Sequence, residues 1–132
     1  MLTVRSLVHG DFRAKNLIYE IGSCSIKAVI DFEWCFNGSP FYDLGLMLVE
    51  WSCPDSQTYF NREIIKAILD GYSEVIGRKI NLDEKIKFWM YYSALSDSST
   101  YLLRVARKAF VEGKKINQRL YMYDKARMAL NL

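Results

Sequence analysis

The chain has 132 residues, which is the size of one domain and enough to bury a core. About half of the residues (51%) are hydrophobic, which excludes a disordered tail, and a net charge of +3 does not by itself indicate a nucleic-acid partner. Three cysteines without a C-x-x-C pair make a disulfide framework or a zinc site unexpected. We find no export signal and no apolar run of membrane-spanning length, so we expect a cytoplasmic protein with no membrane or nucleic-acid partner.

The first third of the chain predicts short strands and loops. Residues 2–8 read as the end of an element that leads into a loop at 9–16. Leu17–Glu20 reads as a short strand, and a glycine-serine turn connects it to a returning strand at Ser25–Asp31. Phe32–Pro40 is expected to be loop, since it contains two turn-forming dipeptides. The segment therefore predicts a β-hairpin with loops at both ends.

The rest of the chain predicts helices. A helix is expected over Phe41–Trp51, with Ser39 as its cap and Pro40 as its first residue. Apolar residues at helical spacing predict a second helix over Phe60–Ile76. A last helix is expected to be lined by Ile116, Leu120, Tyr123 and Leu130.

Leu82–Phe110 predicts one long helix or two shorter ones, because the polar run Ser96–Ser99 interrupts it. The core candidates in this region are Ile86, Trp89, Met90, Leu103, Ala106 and Phe110. The fold class expected is α+β and mostly α-helical: a loop carrying polar residues, a β-hairpin and four to five helices.

One motif combines polar residues at a spacing that suits phosphoryl transfer. His9-Gly10-Asp11 is followed five positions after Asp11 by Asn16, and Asp31 ends an apolar strand twenty positions after Asp11. Phosphoryl-transfer sites use one aspartate near the substrate hydroxyl and hold Mg²⁺ with an asparagine and a second aspartate. Each residue alone is more simply interpreted as a turn or strand-end residue. The combination of all three favours a catalytic and metal-binding role.

With Gly38-Ser-Pro40 and Asp43-Leu-Gly45 following in order, the chain resembles the aminoglycoside phosphotransferase and choline kinase-like family. The resemblance covers about residues 7–48. It implies the protein-kinase-like fold and, for this chain, the C-terminal lobe of that fold. It also implies ATP- and Mg²⁺-dependent phosphorylation of a small hydroxyl-bearing substrate, whose identity the sequence does not single out.

The resemblance assigns roles to five residues. Asp11 corresponds to the catalytic aspartate, which accepts the proton of the substrate hydroxyl. Asn16 and Asp31 correspond to the metal ligands, and an amide oxygen and a carboxylate suit Mg²⁺. His9 and Asp43 are expected to support the site structurally, His9 by bracing the loop and Asp43 by holding its backbone. The residues that would bind the nucleotide stay unassigned.

Two interpretations of Arg13 stay open: it is a catalytic cation that offsets charge on the transferred phosphoryl group, or it is a solvated arginine. Lys15 is expected to face solvent, and Glu33 to be a loop residue with a possible part in metal or water binding. The polar run Ser96–Thr100 could face a cleft, but solvated helix surface is the favoured interpretation. The acidic residues considered with that run are Asp55, Asp83 and Asp97, and the basic residues expected on solvated surface are Arg104, Arg107, Lys108, Lys114, Lys115 and Arg119.

Kinases of this fold hold ATP with a glycine-rich loop and a strand lysine that precede the catalytic loop. The seven glycines of this chain form no G-x-G pair. We therefore expect residues 1–132 to be a single domain, the C-terminal lobe without its nucleotide-binding N-terminal lobe, and inactive alone. It would be a fragment or half of a split enzyme, and would self-associate or bind the chain that carries the missing lobe. The alternative is a non-catalytic helical domain that binds a protein partner or a small ligand.

Overall fold

The computed structural model describes residues 5–53, 58–113 and 121–132, in which short strands come first and helices follow. The strands are β1 (Ser6–Val8), β2 (Leu17–Tyr19), β3 (Ile26–Val29) and β4 (Phe36–Gly38). The helices are α1 (Phe41–Ser52), α2 (Arg62–Ile76), α3 (Glu84–Glu112) and α4 (Tyr121–Ala129). Most described residues are helical, as the sequence predicted. In the described part of the chain, no helix is both long and apolar enough to cross a membrane.

The predicted hairpin is confirmed. Strands β2 and β3 pair antiparallel, with Leu17 opposite Val29 and Ile18 opposite Ala28. One further hydrogen bond extends the pairing toward the chain's polar motif, because the Ile30 N–H donates to the Asn16 carbonyl at 3.0 Å. The hairpin therefore fixes the separation between the segments that carry Asn16 and Asp31.

The prediction that Phe32–Pro40 is entirely loop was wrong. Within it, β4 pairs antiparallel with β1, so that Val8 lies opposite Phe36 and Ser6 opposite Gly38. The turn signal of Asn37-Gly38 was overridden by pairing with a strand about thirty positions earlier, a contact that local sequence does not encode. This pairing places the segment after β1 against the segment before β4.

Helix α1 begins at Phe41, as the predicted range did, and Pro40 is its capping residue and not its first helical residue. The predicted role of Ser39 is observed, since its hydroxyl accepts from the Phe41 N–H at 3.3 Å. At Gly45 the helix lies directly on α3: a Cβ there would stand 2.5 Å from the Trp89 carbonyl carbon. The absence of a side chain at Gly45 thus sets how closely α1 and α3 pack.

The core lies among the four helices. Leu48 and Val49 of α1 and Met90 of α3 are fully buried. The other buried members of this cluster are Phe41, Leu44, Cys53, Phe60, Ile65, Leu69, Ile86, Ala94, Ala126 and Ala129. Burial of so many apolar side chains makes the helical part the main source of hydrophobic stabilisation.

Helix α3 is one continuous helix of 29 residues. The polar run does not interrupt it, and the hydroxyls of Ser98, Ser99 and Thr100 find partners within the helix by donating to carbonyls four residues earlier. Leu103 and Phe110 were wrong as core candidates, with exposures of 72% and 89%. Every fully buried residue of α3 lies in its first half, so its second half extends beyond the packed region.

Helix α4 contains Tyr123 of the predicted last helix, and Leu130 follows its end. Several predicted features lie outside the described residues: the core candidates Ile116 and Leu120, the acidic Asp55, and the basic Lys114, Lys115 and Arg119.

Candidate active site

The loop after β1 is tied to the start of α1 by one carboxylate. The Asp43 side chain accepts from the backbone N–H of His9 at 2.7 Å and from that of Gly10 at 3.0 Å. Gly10 has φ +82°, and a Cβ there would overlap the Trp34 carbonyl oxygen. The loop thus needs glycine for its conformation and for its close approach to the segment before β4. Asp43 lies behind the loop, where a supporting residue would lie.

His9 is buried and connects the loop that carries Asp11 to the strand end that carries Asp31. Its Nδ1 lies 3.3 Å from the Asp11 N–H, which donates to it, so the ring proton is assigned to Nε2. Nε2 then donates to the Ile30 carbonyl at 2.9 Å. The ring also packs against the Phe12 and Phe32 rings. His9 therefore couples the backbone at Asp11 to the backbone before Asp31, which is a bracing geometry.

The Asp11 carboxylate lies between two cationic side chains and an amide donor. Arg13 Nε lies 2.5 Å from Oδ1, Lys15 Nζ lies 2.9 Å from Oδ2, and the Asn16 amide donates to Oδ2 at 3.0 Å. Burial raises the pKa of Asp11, but Lys15, Arg13 and Asn16 together outweigh it and hold the pKa below its ordinary value. Asp11 is therefore ionised at neutral pH and able to orient a hydroxyl group.

The hairpin places Asn16 opposite Ile30, the residue before Asp31. Asn16 is buried, and its amide nitrogen donates both to the Asp11 carbonyl at 2.8 Å and to the Asp11 carboxylate. Because both contacts use Nδ2, the amide oxygen is left as the group available to a ligand. Asp31 is exposed and has left-handed backbone angles, φ 70° and ψ 58°. It is the one such non-glycine residue among those described, and strained conformations of this kind are concentrated at functional sites.

Arg13 is not a solvated arginine. Its side chain is only 16% exposed, and its guanidinium faces three carboxylates: Asp11 through Nε, Glu50 through Nη1 at 3.4 Å, and Asp97 through Nη2. Burial lowers its pKa, but the carboxylates, Asp97 foremost, reverse the effect and raise it. The interpretation of Ser96–Thr100 as solvated surface was therefore wrong at Asp97. The one signal available in the sequence was that this run breaks the apolar pattern of α3; nothing singled out Glu50.

The motif opens into a cavity of about 500 Å³. Asp11, Arg13 and Asp31 all line it, so the structure gathers three of the predicted site residues around one space. Two further lining residues stack, with the Arg104 guanidinium 4.9 Å from the centroid of the Trp34 ring. The remaining lining residues are Gly10, Lys15, Glu33, Phe36, Tyr42, Ser96, Asp97, Thr100 and Tyr101. The cavity is thus walled by charged and aromatic side chains.

Three expectations about neighbouring residues are resolved by this geometry. Lys15 is largely exposed, as predicted, but it also pairs with Asp11. Asp83 does not face a cleft; it caps α3 by accepting from the Ile86 N–H at 3.0 Å. Arg104 was expected on solvated surface, whereas it lines the cavity.

The donor set at Asn16 and Asp31 fits Mg²⁺ by its chemistry. Mg²⁺ takes oxygen ligands and is usually held by one or two protein groups together with phosphate and water. The free amide oxygen of Asn16 and the carboxylate of Asp31 are groups of that kind. Among the described residues, no cluster of three or more His, Cys, Asp or Glu side chains could hold a metal by itself. A metal here would therefore depend on ligands from a bound phosphate or water.

Asp11 and Asp31 line one cavity, and Asn16 is bonded to Asp11 behind it. Comparison with known proteins supports the resemblance that these residues suggested. Residues 3–77 match the model of the phosphotransferase enzyme family. The match covers more than half of the chain and includes every predicted site residue. The chain belongs to this family.

The curated relatives are much longer proteins. The chain is 26% identical to rat acyl-CoA dehydrogenase family member 11 over 96 residues, which is 68% of the chain and 12% of that protein. It is 39% identical to mouse acyl-CoA dehydrogenase family member 10 over 51 residues, which is 39% of the chain and 5% of that protein. The chain thus spans 12% or less of their length. No solved structure gives a significant match.

Proposed function

We propose that this chain is the C-terminal, catalytic and substrate-binding lobe of an ATP- and Mg²⁺-dependent kinase that phosphorylates a hydroxyl group on a small molecule. The observation that carries the proposal is the Asp11 carboxylate, which is ionised and held in place at the edge of a cavity that Asp31 also lines. Membership of the phosphotransferase family supports the class of reaction. The dehydrogenase activity in the relatives' names is no part of the proposal, since the chain covers so little of those proteins.

In the proposed reaction, a substrate hydroxyl oxygen attacks the γ-phosphorus of ATP. The bond between that phosphorus and the β,γ-bridging oxygen breaks, ADP leaves, and the hydroxyl proton passes to Asp11. Asp11 contributes mainly by orienting the hydroxyl, because its lowered pKa makes it a weak base and positioning dominates phosphoryl transfer. Lys15, which is 64% exposed, can move away from the carboxylate when substrate enters.

Asn16 and Asp31 would hold Mg²⁺ through the amide oxygen and the carboxylate. The metal, when bound, would neutralise charge on the phosphates of the nucleotide. His9 keeps the two segments together through its bonds to Asp11 and Ile30. Arg13 faces three carboxylates, which favours a role in positioning Asp11 over direct contact with the phosphoryl group.

Calorimetric titration with Mg²⁺·ATP tests the metal site. Wild type and Asp70→Ala should give the same metal-dependent heat, because Asp70 is an exposed residue of α2 that pairs with Lys66 and does not line the cavity. Asp31→Ala should lose that heat. Equal heats in Asp31→Ala and wild type would remove Asp31 from the role of ligand.

Turnover is tested by adding, in trans, a polypeptide that supplies a glycine-rich loop and strand lysine. We expect no phosphate transfer without it, because the chain has no such loop. With it, transfer should depend on Asp11, so that Asp11→Ala is inactive. Transfer that survives in Asp11→Ala would refute the proposed base.

A second candidate, a domain that binds a protein partner, is favoured by one observation. The β2–β3 hairpin carries exposed apolar side chains, with Ile21 fully exposed and Ile18 and Ile26 each more than two fifths exposed. Such patches favour association with another chain. Light scattering over a wide concentration range tests this: wild type should associate, and an Ile18→Lys, Ile26→Lys variant should not. A wild type that stays monomeric would count against this candidate.

A further inference from the structure

We propose that Asp97 and Glu50 are positioning residues, which hold the Arg13 guanidinium against Asp11 and so fix the direction of the Asp11 carboxylate. The proposal rests on the proposed function, since it assigns these residues to the same site. Neither residue belongs to the motif, and each comes from a different helix, Glu50 from α1 and Asp97 from α3. They contribute through Arg13 and not by contact with the reacting atoms.

The geometry of Arg13 supports this role. A guanidinium is a rigid planar group, and here each of its three nitrogens lies against a different carboxylate. Ion pairs with three carboxylates from three different segments of the chain restrict the position of the group. Because Nε is the nitrogen that meets Asp11 Oδ1, the contacts of Nη1 with Glu50 and of Nη2 with Asp97 determine where Nε lies.

The charges around Arg13 also support the proposal. Three carboxylates and one guanidinium would be strongly anionic, and two lysines compensate: Lys15 at Asp11, and Lys125 of α4 at Glu50, with Nζ 3.7 Å from Oε1. Lys125 is only 4% exposed in its side chain, and Glu50 uses its other oxygen for Arg13. The contacts therefore run from α4 through Glu50 and Arg13 to Asp11.

Partial burial makes these contacts more than a surface ion pair. Side-chain exposures are 14% for Asp11, 16% for Arg13, 22% for Glu50 and 30% for Asp97. Exposed pairs contribute little, whereas removal of one partner from a desolvated group leaves an uncompensated charge. A neutral residue at position 97 should thus free one edge of the guanidinium and let the Asp11 carboxylate rotate.

Nuclear magnetic resonance of side-chain N–H groups tests the proposal without any need for turnover. The Arg13 Nε–H signal, assigned by its loss in Arg13→Lys, reports the guanidinium. The Asn16 side-chain amide, which donates to Asp11 Oδ2, reports where the carboxylate lies. In Asp97→Asn we expect hydrogen exchange at Arg13 Nε to be about tenfold faster, together with a shift of the Asn16 amide signal.

Glu50→Gln should give the same pair of changes, and Asp97→Glu should restore most of the wild-type signals because it returns the carboxylate. Asp70→Asn is the matched control, with the same loss of charge at an exposed pair, and should leave both signals unchanged. Circular dichroism shows whether each variant folds. If Asp97→Asn fails to fold, Glu50→Gln and Asp97→Glu decide the question by the same signals.

Unchanged Arg13 and Asn16 signals in folded Asp97→Asn and Glu50→Gln would overturn the proposal. A different result would refute the proposed function: wild type that gives no metal-dependent heat in the calorimetric titration. A chain that binds no Mg²⁺·ATP and yet shows the signal changes would refute the kinase assignment and leave the control of Asp11 by Asp97 and Glu50 established.

Discussion

The two parts of this molecule are held together by different forces. In the helices, apolar side chains from α1 to α4 form one buried cluster. In residues 5–38, only Val8, His9, Asn16 and Leu17 are buried, and two of these four are polar. That segment is shaped by hydrogen bonds and ion pairs, chiefly those of Asp43, His9 and Arg13.

The difference explains how the loop after β1 is held in place without a core of its own. The helices supply the free energy of folding, and Asp43 at the start of α1 transmits that order to the backbone of His9 and Gly10. Substitutions in the helical cluster should therefore lower global stability, whereas those in the segment should mainly change the site.

The largest effect is expected at the centre of the helical cluster. Met90 is fully buried in α3, so Met90→Ala should lower the free energy of unfolding by about 2–5 kcal/mol through lost burial and a cavity. Leu103→Ala, on the exposed part of the same helix, should change it by less than about 0.5 kcal/mol. Urea denaturation measures both, and equal losses would contradict the packing described.

The next effect separates backbone strain from close contact in the loop. Gly10 and Gly22 have nearly the same positive φ, but only a Cβ at Gly10 would meet neighbouring atoms. Gly22→Ala should cost about 1 kcal/mol, and Gly10→Ala should cost about 1–3 kcal/mol more. Gly10→Ala should also shift the Asn16 amide signal, since the loop carries Asp11. Equal costs in urea denaturation would show that Trp34 does not confine the loop.

A smaller effect of opposite sign is expected at Asp31. Glycine accepts the left-handed conformation without strain, so Asp31→Gly should raise the free energy of unfolding by about 0.5 kcal/mol while removing the proposed metal ligand. Asp31→Ala keeps the strain and should not be stabilised. Thermal denaturation compares the stabilities of the two variants. An alanine variant at least as stable as the glycine variant would argue against strain at this position.

The smallest effect concerns the charge on Asp11. Its pKa lies below the ordinary 3.8, so the ionised group stabilises the fold above that pH, and this contribution is lost as pH falls through the folded-state value. Lys15→Ala should raise the pKa of Asp11, because it removes a hydrogen bond and a nearby positive charge. Carbon-detected titration of the Asp11 carboxyl measures the change. Lys66→Ala is the control, and an equal shift there would contradict the assignment to Lys15.

Local sequence predicted the parts of the fold that local physics determines. The hairpin, the start of α1 just after Ser39 and the helical remainder follow from alternation, capping and helical spacing. The pairing of β1 with β4 and the exposure of Leu103 and Phe110 did not follow, because each depends on which distant segment lies alongside.

The site residues were likewise predictable where they are close in sequence and not where they come from distant helices. Asp11, Asn16 and Asp31 lie in one motif, and the hairpin between them makes their proximity a local consequence. Glu50 and Asp97 reach Arg13 from helices 37 and 84 positions further along the chain, and no spacing rule indicates a contact over such a separation. Their contacts with Arg13 depend on how α1 and α3 pack.

The central claim is that Asn16 and Asp31 form a divalent-metal site beside Asp11. Paramagnetic broadening by Mn²⁺, which takes the same oxygen ligands as Mg²⁺, tests it most directly. With ATP present, the backbone signals of residues 10–16 and 30–34 should broaden at low Mn²⁺ concentration, those of α2 should stay sharp, and Asp31→Ala should abolish the effect. Broadening that persists in Asp31→Ala, or that centres on α2, would contradict the claim.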